Sequence, residues 1–596
     1  MVGVPIMNRS TAKAGVVLIF SLGLAGQLFS QDKNSAEDSL GKLFHSFLEG
    51  ELKRKPLEAT RLGDHRYDHD LEDLTPAARA NWQKAAEQTL GQLKEISFEQ
   101  LPTKSQTDYQ VFEAHLERVL WASKNTNPYE EDPRVYSEYL SDSLFLLLTQ
   151  NTLPESKNVA SVISRVGKMP TLLGVAEKTL RNPPKVYVET AIKQNRGTIR
   201  FYRSGIGLHI QNEENRKRVL EATEKVIPRL QEYQEFLEKV LLPRATEDWR
   251  IGSKKFNAKM QHELQMPLSA EQVFQKAEKE MVQVELEMHV IARELWPGLF
   301  PGKVFPPYDP AGRRLAIAQV LEKLAENRAE EKDLLPSTKQ TVDSIKQFIK
   351  ERKILDLPEP DRCQIVEMPE FQRGNSVAYL NQAPPLDPAA ASIYAVSPPP
   401  ADWDLATRTS FMKEYNAYML PILTIHEAYP GHYVQLEYSN RTASKIRKVF
   451  FSGVFAEGWA VYTEKMMLDE GFGKGSLPLR LHQLKWYLRT VANAVLDHNM
   501  HCQNWTDDQA LEFLTQRAFQ SKAEALGKII RSKQSSCQLT TYFAGASFFN
   551  QLRAEVQNSL GGQFQLSRFH HAVLNHGTIP PKLVGPLVKR ELGLPN

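Results

Sequence analysis

Residues 219–240 read VLEATEKVIPRLQEYQEFLEKV, and their spacing decides the fold class. Val219, Thr223, Val226, Leu230, Tyr233, Leu237 and Val240 recur at three- and four-residue intervals, one stripe of a long amphipathic helix. Pro228 inside the run predicts a kink, because its ring lacks an N–H and crowds the carbonyl four residues back. The pattern continues outward. Ser269 with Gln272 resembles a capping box ahead of Val273, Ala277, Met281, Val284, Met288 and Ile291; Thr506 with Gln509 has the same form ahead of Ala510, Phe513 and Leu514. The chain therefore reads as mainly α. Two stretches rich in Pro and Gly, 296–312 and 382–402, read as loops. Within and beside the second, 392–396 and 376–380 look extended, so a small sheet is expected just ahead of residue 426.

At 596 residues the chain exceeds what one core holds, so two or more lobes are expected. Apolar residues at 41% and charged residues at 24% suit a globular protein. With 74 basic and 71 acidic residues the net charge is +3, which gives no support for a nucleic-acid or polyanion partner. Cys363, Cys502 and Cys537 are odd in number and lack the spacing of a cysteine zinc site or a disulfide framework. Arg9 and Lys13 precede an apolar run from Ala14 to about Ala25, which reads as a secretory signal peptide over residues 1–30. The run is short for a membrane span, which needs about 20 apolar residues; a retained anchor is the other reading. The product would be exported, periplasmic or extracellular, with no span after cleavage. The rest divides into a helical lobe, 31–370, and a lobe carrying the chemistry, 371–596, built as one continuous architecture.

The chemistry is signalled by His426-Glu427-Ala428-Tyr429-Pro430-Gly431-His432. A His followed by Glu, with a second His close behind, is how a zinc peptidase helix begins its metal site. The spacing departs from that motif. Residues six apart on a straight helix lie about 240° apart around the axis. Pro430 prevents the helix from staying straight and Gly431 tolerates unusual dihedrals, so a Pro-Gly bulge could return His432 to the face of His426. The alternative is a helix merely broken by proline, with no metal. A third ligand is available in Ala456-Glu457-Gly458-Trp459-Ala460-Val461-Tyr462-Thr463-Glu464, 25 residues beyond His432. Glu457 and Glu464 are two turns apart on an apolar helix face. Glu464 reads as a second ligand or an outer partner for a His N–H, or each Glu is a salt-bridge partner only. Tyr429 and Trp459 read as packing residues.

HEAYPGH followed by EGWAVYTE resembles the family known as domain of unknown function 885, whose motifs read HEAxPGH and EGWAxYxE. The resemblance continues through Arg489, Asp497, His501 and Trp505, then Gln538, Tyr542 and Gly545, then Phe569-His570 and Gly577. It departs at Cys537, Ala544 and His571, none of them a proposed ligand. The family is similar in turn to the gluzincin metallopeptidases of the thimet oligopeptidase and neurolysin type, which are helical, two-lobed and built around a deep internal channel. The resemblance implies one zinc ion held by His426, His432 and Glu457, with Glu427 as general base. For the oxyanion of a tetrahedral intermediate the candidates are Tyr542 first, then His501 and Arg489; a buried polar brace is the other reading of all three. The expected activity is a zinc metallopeptidase in which Glu427 takes a proton from metal-bound water, acting on peptides that enter the channel, with 393–396 offering a strand edge to the substrate. The rivals are a zinc hydrolase of another amide or ester, and a metal-free helical binding or structural protein.

Overall fold

The structure, a computed structural model, describes residues 15–149, 152–266, 268–368, 373 and 378–595, with residues 15–34 described as backbone only. The leader reading therefore lies outside the fully described residues. Among the described residues no helix is long and apolar enough to cross a membrane.

Among the described residues the fold is mainly α with one three-stranded sheet. Both expected capping boxes are present. Ser269 starts α1 (Ala270–Leu299), and Thr506 starts the helix Asp507–Gln516. The stripe in 219–240 is buried through Val219, Val226, Leu230, Tyr233 and Leu237. It is not one kinked helix, however. Glu213–Glu224 and Ile227–Glu235 are separate helices, with Pro228 in the first turn of the second, where its missing N–H removes no helical bond. A π-helical turn, Phe236–Leu241, then rotates the face and leaves Val240 exposed. The loop expected from residue 296 also begins late. α1 runs through Pro297 to Leu299 because Trp296 is buried and its indole N–H donates to the Lys303 carbonyl at 3.1 Å.

Among the described residues three hydrophobic cores hold the molecule together. One joins Leu40, Phe47 and Phe112 to Ile425, Trp459, Phe549 and Phe569. A second packs α1 against 481–500 and 510–544. The third is formed almost wholly by 136–241. The first core spans residue 370, so segments on either side of that boundary share an interior.

The sheet consists of β1 (Cys363–Glu367), β2 (Ala378–Asn381) and β3 (Ser392–Val396), in the order β1-β3-β2. β3 is parallel to β1 and antiparallel to β2, with Leu380 opposite Tyr394. β3 is therefore central and has no free edge, which corrects the expectation that 393–396 could take an added strand. The edge beside the site belongs to β2. Tyr394 and Thr424 share a hydroxyl hydrogen bond at 3.2 Å, which fixes the sheet against the helix carrying the HEAYPGH motif.

Candidate functional site

That helix, α2 (Met419–Glu427), ends abruptly. Ala428 leaves helical geometry at φ −120°, ψ −84°. The amides of Ala428 and Tyr429 both return to the Thr424 carbonyl, at 2.9 and 3.2 Å, and that of Gly431 reaches Ile425 O at 3.0 Å. A second helix, α3 (His432–Arg441), starts at the next residue. Gly431 is required at this approach, since a Cβ would lie 2.0 Å from the His426 carbonyl oxygen. The turn absorbs the extra residues, and the rings of His426 and His432 meet with centroids 4.8 Å apart at 88°. Trp459 anchors the turn by donating its indole N–H to Pro430 O at 2.9 Å, and the Tyr429 hydroxyl donates to Asp361 at 2.8 Å. Both aromatics are packing residues.

Glu457 comes from α4 (Gly453–Asp469). One of its carboxylate oxygens lies 3.4 Å from His432 Nε2 and 3.8 Å from His426 Nε2. One ligand atom from each of the three residues falls within 4.8 Å of the others. Glu464, two turns on and fully buried, sits 2.7 Å from His426 Nδ1. It is thus an outer partner: by engaging Nδ1 it leaves Nε2 of His426 facing the cluster. α4 lies directly against α7 (Thr540–Leu560) at Gly458 and Gly545, where a Cβ on Gly545 would be 2.1 Å from Val454 O. This close approach brings the Tyr542 hydroxyl beside the Glu457 carboxylate, which it helps to hold below the usual carboxylate range.

Burial sets the electrostatics. It drives the His426 ring down to about 3, keeping it neutral. It pushes Glu427 up to about 7, against the opposing pull of His432 and of a hydrogen bond from the Leu380 N–H of β2. Burial also lifts Glu464 well above the usual carboxylate range. His432 and Glu457 are the exception. Burial opposes charge on both, but their mutual hydrogen bond and attraction outweigh it, raising His432 and lowering Glu457. Among the described residues none of the three carboxylates has a Lys or Arg ion pair. Three acids, Glu464 buried and Glu427 and Glu457 half-buried, and two imidazoles without a fixed cation form a donor set that fits a divalent metal ion.

The cluster borders a cavity of about 630 Å³ whose walls include Trp403, Phe411, Tyr415 and Trp486. Glu427, Tyr542 and Arg489 all line it. Arg489, on α5 (Leu477–Cys502), is 3.1 Å from the Glu524 carboxylate. His501 is elsewhere, which corrects its assignment to the site. Twelve residues further along α5 puts it about 18 Å beyond Arg489. Its Nε2–H donates to the carbonyls of Ser532 and Ser535, both at 2.9 Å, and its ring packs on Phe256. Asp497 likewise accepts from Cys537 N, Thr540 N and Thr540 Oγ1. The two brace the turn that starts α7, and neither orients a catalytic group.

Three site components escaped sequence reasoning: the Leu380 N–H, and Lys528 and Arg531 of α6 (Lys522–Gln534). Ser521 and Glu524 form a legible capping box for α6, but which of its faces meets a cavity depends on packing.

The chain belongs to the family described as bacterial protein of unknown function, DUF885, whose sequence model matches residues 56–588. It is similar in structure to a protein of unknown function from Shewanella oneidensis, provisionally named a lipoprotein, with a TM-score of 0.79 and 27% identity over 92% of this chain and 99% of that one. A second, from Colwellia psychrerythraea and also provisionally named a lipoprotein, shares the fold with a TM-score of 0.78 at 18% identity, covering 94% of this chain and 99% of that one. No curated protein matches the chain.

Proposed function

We propose that this member of the DUF885 family is an exported hydrolase of peptide bonds that works with one divalent cation, zinc by donor type, held by His426, His432 and Glu457. The observation that carries the reading is the convergence of these three residues, with no fixed cation to balance them, at the edge of a cavity that also presents Glu427 and Tyr542. When bound there, such an ion supplies Lewis acidity, polarising a substrate carbonyl and acidifying water. Glu427 belongs to no part of the ligand cluster. The Leu380 N–H favours its charged form against burial, and a proton affinity near neutrality lets it take a proton from water and return it to the leaving amine. Tyr542 aims its hydroxyl at the cluster and can donate to a substrate oxygen as negative charge develops there. The aromatic walls exclude water and grip an extended chain. Export rests on the basic-then-apolar leader and on the relative from Shewanella oneidensis being provisionally named a lipoprotein; periplasmic and extracellular destinations both suit it.

A zinc hydrolase of another amide or ester would use the same groups, and a substrate panel separates the two. Purified protein is expected to hold about one zinc per chain. His432→Ala should lose the metal, whereas Glu427→Gln should keep it and lose turnover by at least about 10²-fold. A native protein that takes up no metal from a zinc-buffered solution sinks the proposal.

A further inference from the structure

The cavity wall formed by α6 carries more basic groups than its neighbours pair. Besides Glu427, the charged side chains lining the cavity are Glu414, Glu524, Arg489, Lys528 and Arg531. Both of those acids are engaged, Glu524 by Arg489 at 3.1 Å and Glu414 by Lys485 at 2.8 Å. Among the described residues Lys528 has no ion pair. Among the described residues Arg531 meets only neutral partners, Gln538 Oε1 at 2.8 Å and the Tyr542 hydroxyl at 3.3 Å. The two are three residues apart on α6, so they share a face. Burial and the nearby Arg489 and Arg531 hold Lys528 well below the usual lysine range against the pull of Glu524, and an arriving anion would favour its charged form again.

We propose that Lys528 and Arg531 bind the free C-terminal carboxylate of the substrate, so that the enzyme removes residues from the C-terminal end of peptides and acylated amino acids. The proposal rests on the hydrolase reading above and adds to it a substrate class and a direction. Tyr542 stands beside Glu457 on one side and accepts from Arg531 at 3.3 Å on the other, so Arg531 is one hydroxyl away from the metal-ligand cluster. Successive residues of an extended peptide advance at most about 3.6 Å. A carboxylate on Arg531 therefore puts the last peptide bond, or the one before it, beside the cluster. A chain continuing past that point would lay neutral amides over Lys528 and Arg531, for which no ion pair exists among the described residues. In the reaction water adds across the C–N bond. A C–O bond forms on the acyl side, the C–N bond breaks, and Glu427 carries the water proton to the departing amine, which leaves with its own carboxylate intact.

The test uses matched pools of random tripeptides, one with free C-terminal carboxylates and one amidated. Metal-loaded wild type is read for hydrolysis, and metal-loaded Glu427→Gln for peptide retained on ultrafiltration. The acid pool should be cleaved and retained at least about tenfold better, the scale of one charge-assisted hydrogen bond. The difference should vanish in Lys528→Met and Arg531→Gln and persist in Lys528→Arg, all three melting as cooperatively as wild type. Equal retention of both pools, or retention of neither, overturns the proposal and leaves the hydrolase reading standing if wild type still cleaves. Preferential retention of the acid pool without cleavage by wild type supports the carboxylate site and counts against the hydrolase reading instead.

Discussion

At the residue scale the site turns on which nitrogen of His426 is free. Glu464 takes Nδ1 at 2.7 Å, and Nε2 is left to the cluster. Such outer carboxylates fix the ring's tautomer and orientation and raise its basicity, and losing one costs about 10- to 100-fold in metal affinity. Glu464→Gln should therefore weaken zinc binding by that factor in a competition titration against a chromophoric chelator, while His432→Ala abolishes it. An unchanged affinity would remove Glu464 from the site. Much of this was legible in the chain. His426, Glu427 and His432 lie within seven residues, and the turn that joins them is made by Pro430 and Gly431. The sequence left Glu464 open between ligand and outer partner, since two helical turns of separation do not say which carboxylate reaches further.

At the scale of elements, the crossing of α4 and α7 sets the distance between Glu457 and Tyr542. Gly458 and Gly545 touch backbone to backbone. A methyl group on Gly545 would lie 2.1 Å from the Val454 carbonyl oxygen, an overlap that only separation of the helices can relieve. Overpacking of well-packed cores costs about 1–3 kcal/mol, and this contact is with backbone, which yields less than a side chain. Gly545→Ala is expected to lose about 2 kcal/mol or more in urea unfolding, and to lower turnover in whatever fraction stays folded by displacing Tyr542 from Glu457. A variant with wild-type stability would mean the helices can part freely. Elements were predictable where local chemistry specifies them: the capping boxes at Ser269 and Thr506 start helices as expected. They were misread where a distant contact overrides local preference. Trp296 holds α1 helical past Pro297, and the break at Pro228 is complete because a proline fits best in a helix's first turn.

At the scale of the molecule, the site lies where two cores meet. On α4, Val454 packs into one and Phe455 into the other, three and two residues before Glu457. Buried histidines outside the site make this interior sensitive to acid. Burial holds His570 down to about 3 and His482 to about 4, from an ordinary 6.5. Both are hydrogen-bonded, His570 to Ile354 O and the Tyr462 hydroxyl, His482 to Pro478 O and Asn416. Unfolding restores the ordinary value, so between pH 6.5 and these depressed values the unfolded chain binds more protons than the folded one. Stability must therefore fall as pH drops below about 6.5, by up to about 1.4 kcal/mol per pH unit for each histidine, and level off once the native rings protonate. Urea unfolding at pH 7.5, 6.5, 5.5 and 4.5 measures the slope, which should be shallower in His570→Asn. A stability independent of pH over this range would contradict neutral burial of both rings.

What the sequence determined by itself is what short-range chemistry controls: the helical class, the helix starts, and the turn between His426 and His432, whose hydrogen bonds close within a few residues. What only the tertiary structure decided are the placements made by contacts between distant segments. β2 brings the Leu380 amide to Glu427, α6 turns Lys528 and Arg531 into the cavity, and Arg489 and His501 lie on one helix with only Arg489 at the cavity. Helical periodicity says which residues share a face. Which part of that face meets a cavity and which a buried turn is settled by what packs against it, and the packing partner is chosen by the burial of apolar surface across the whole chain.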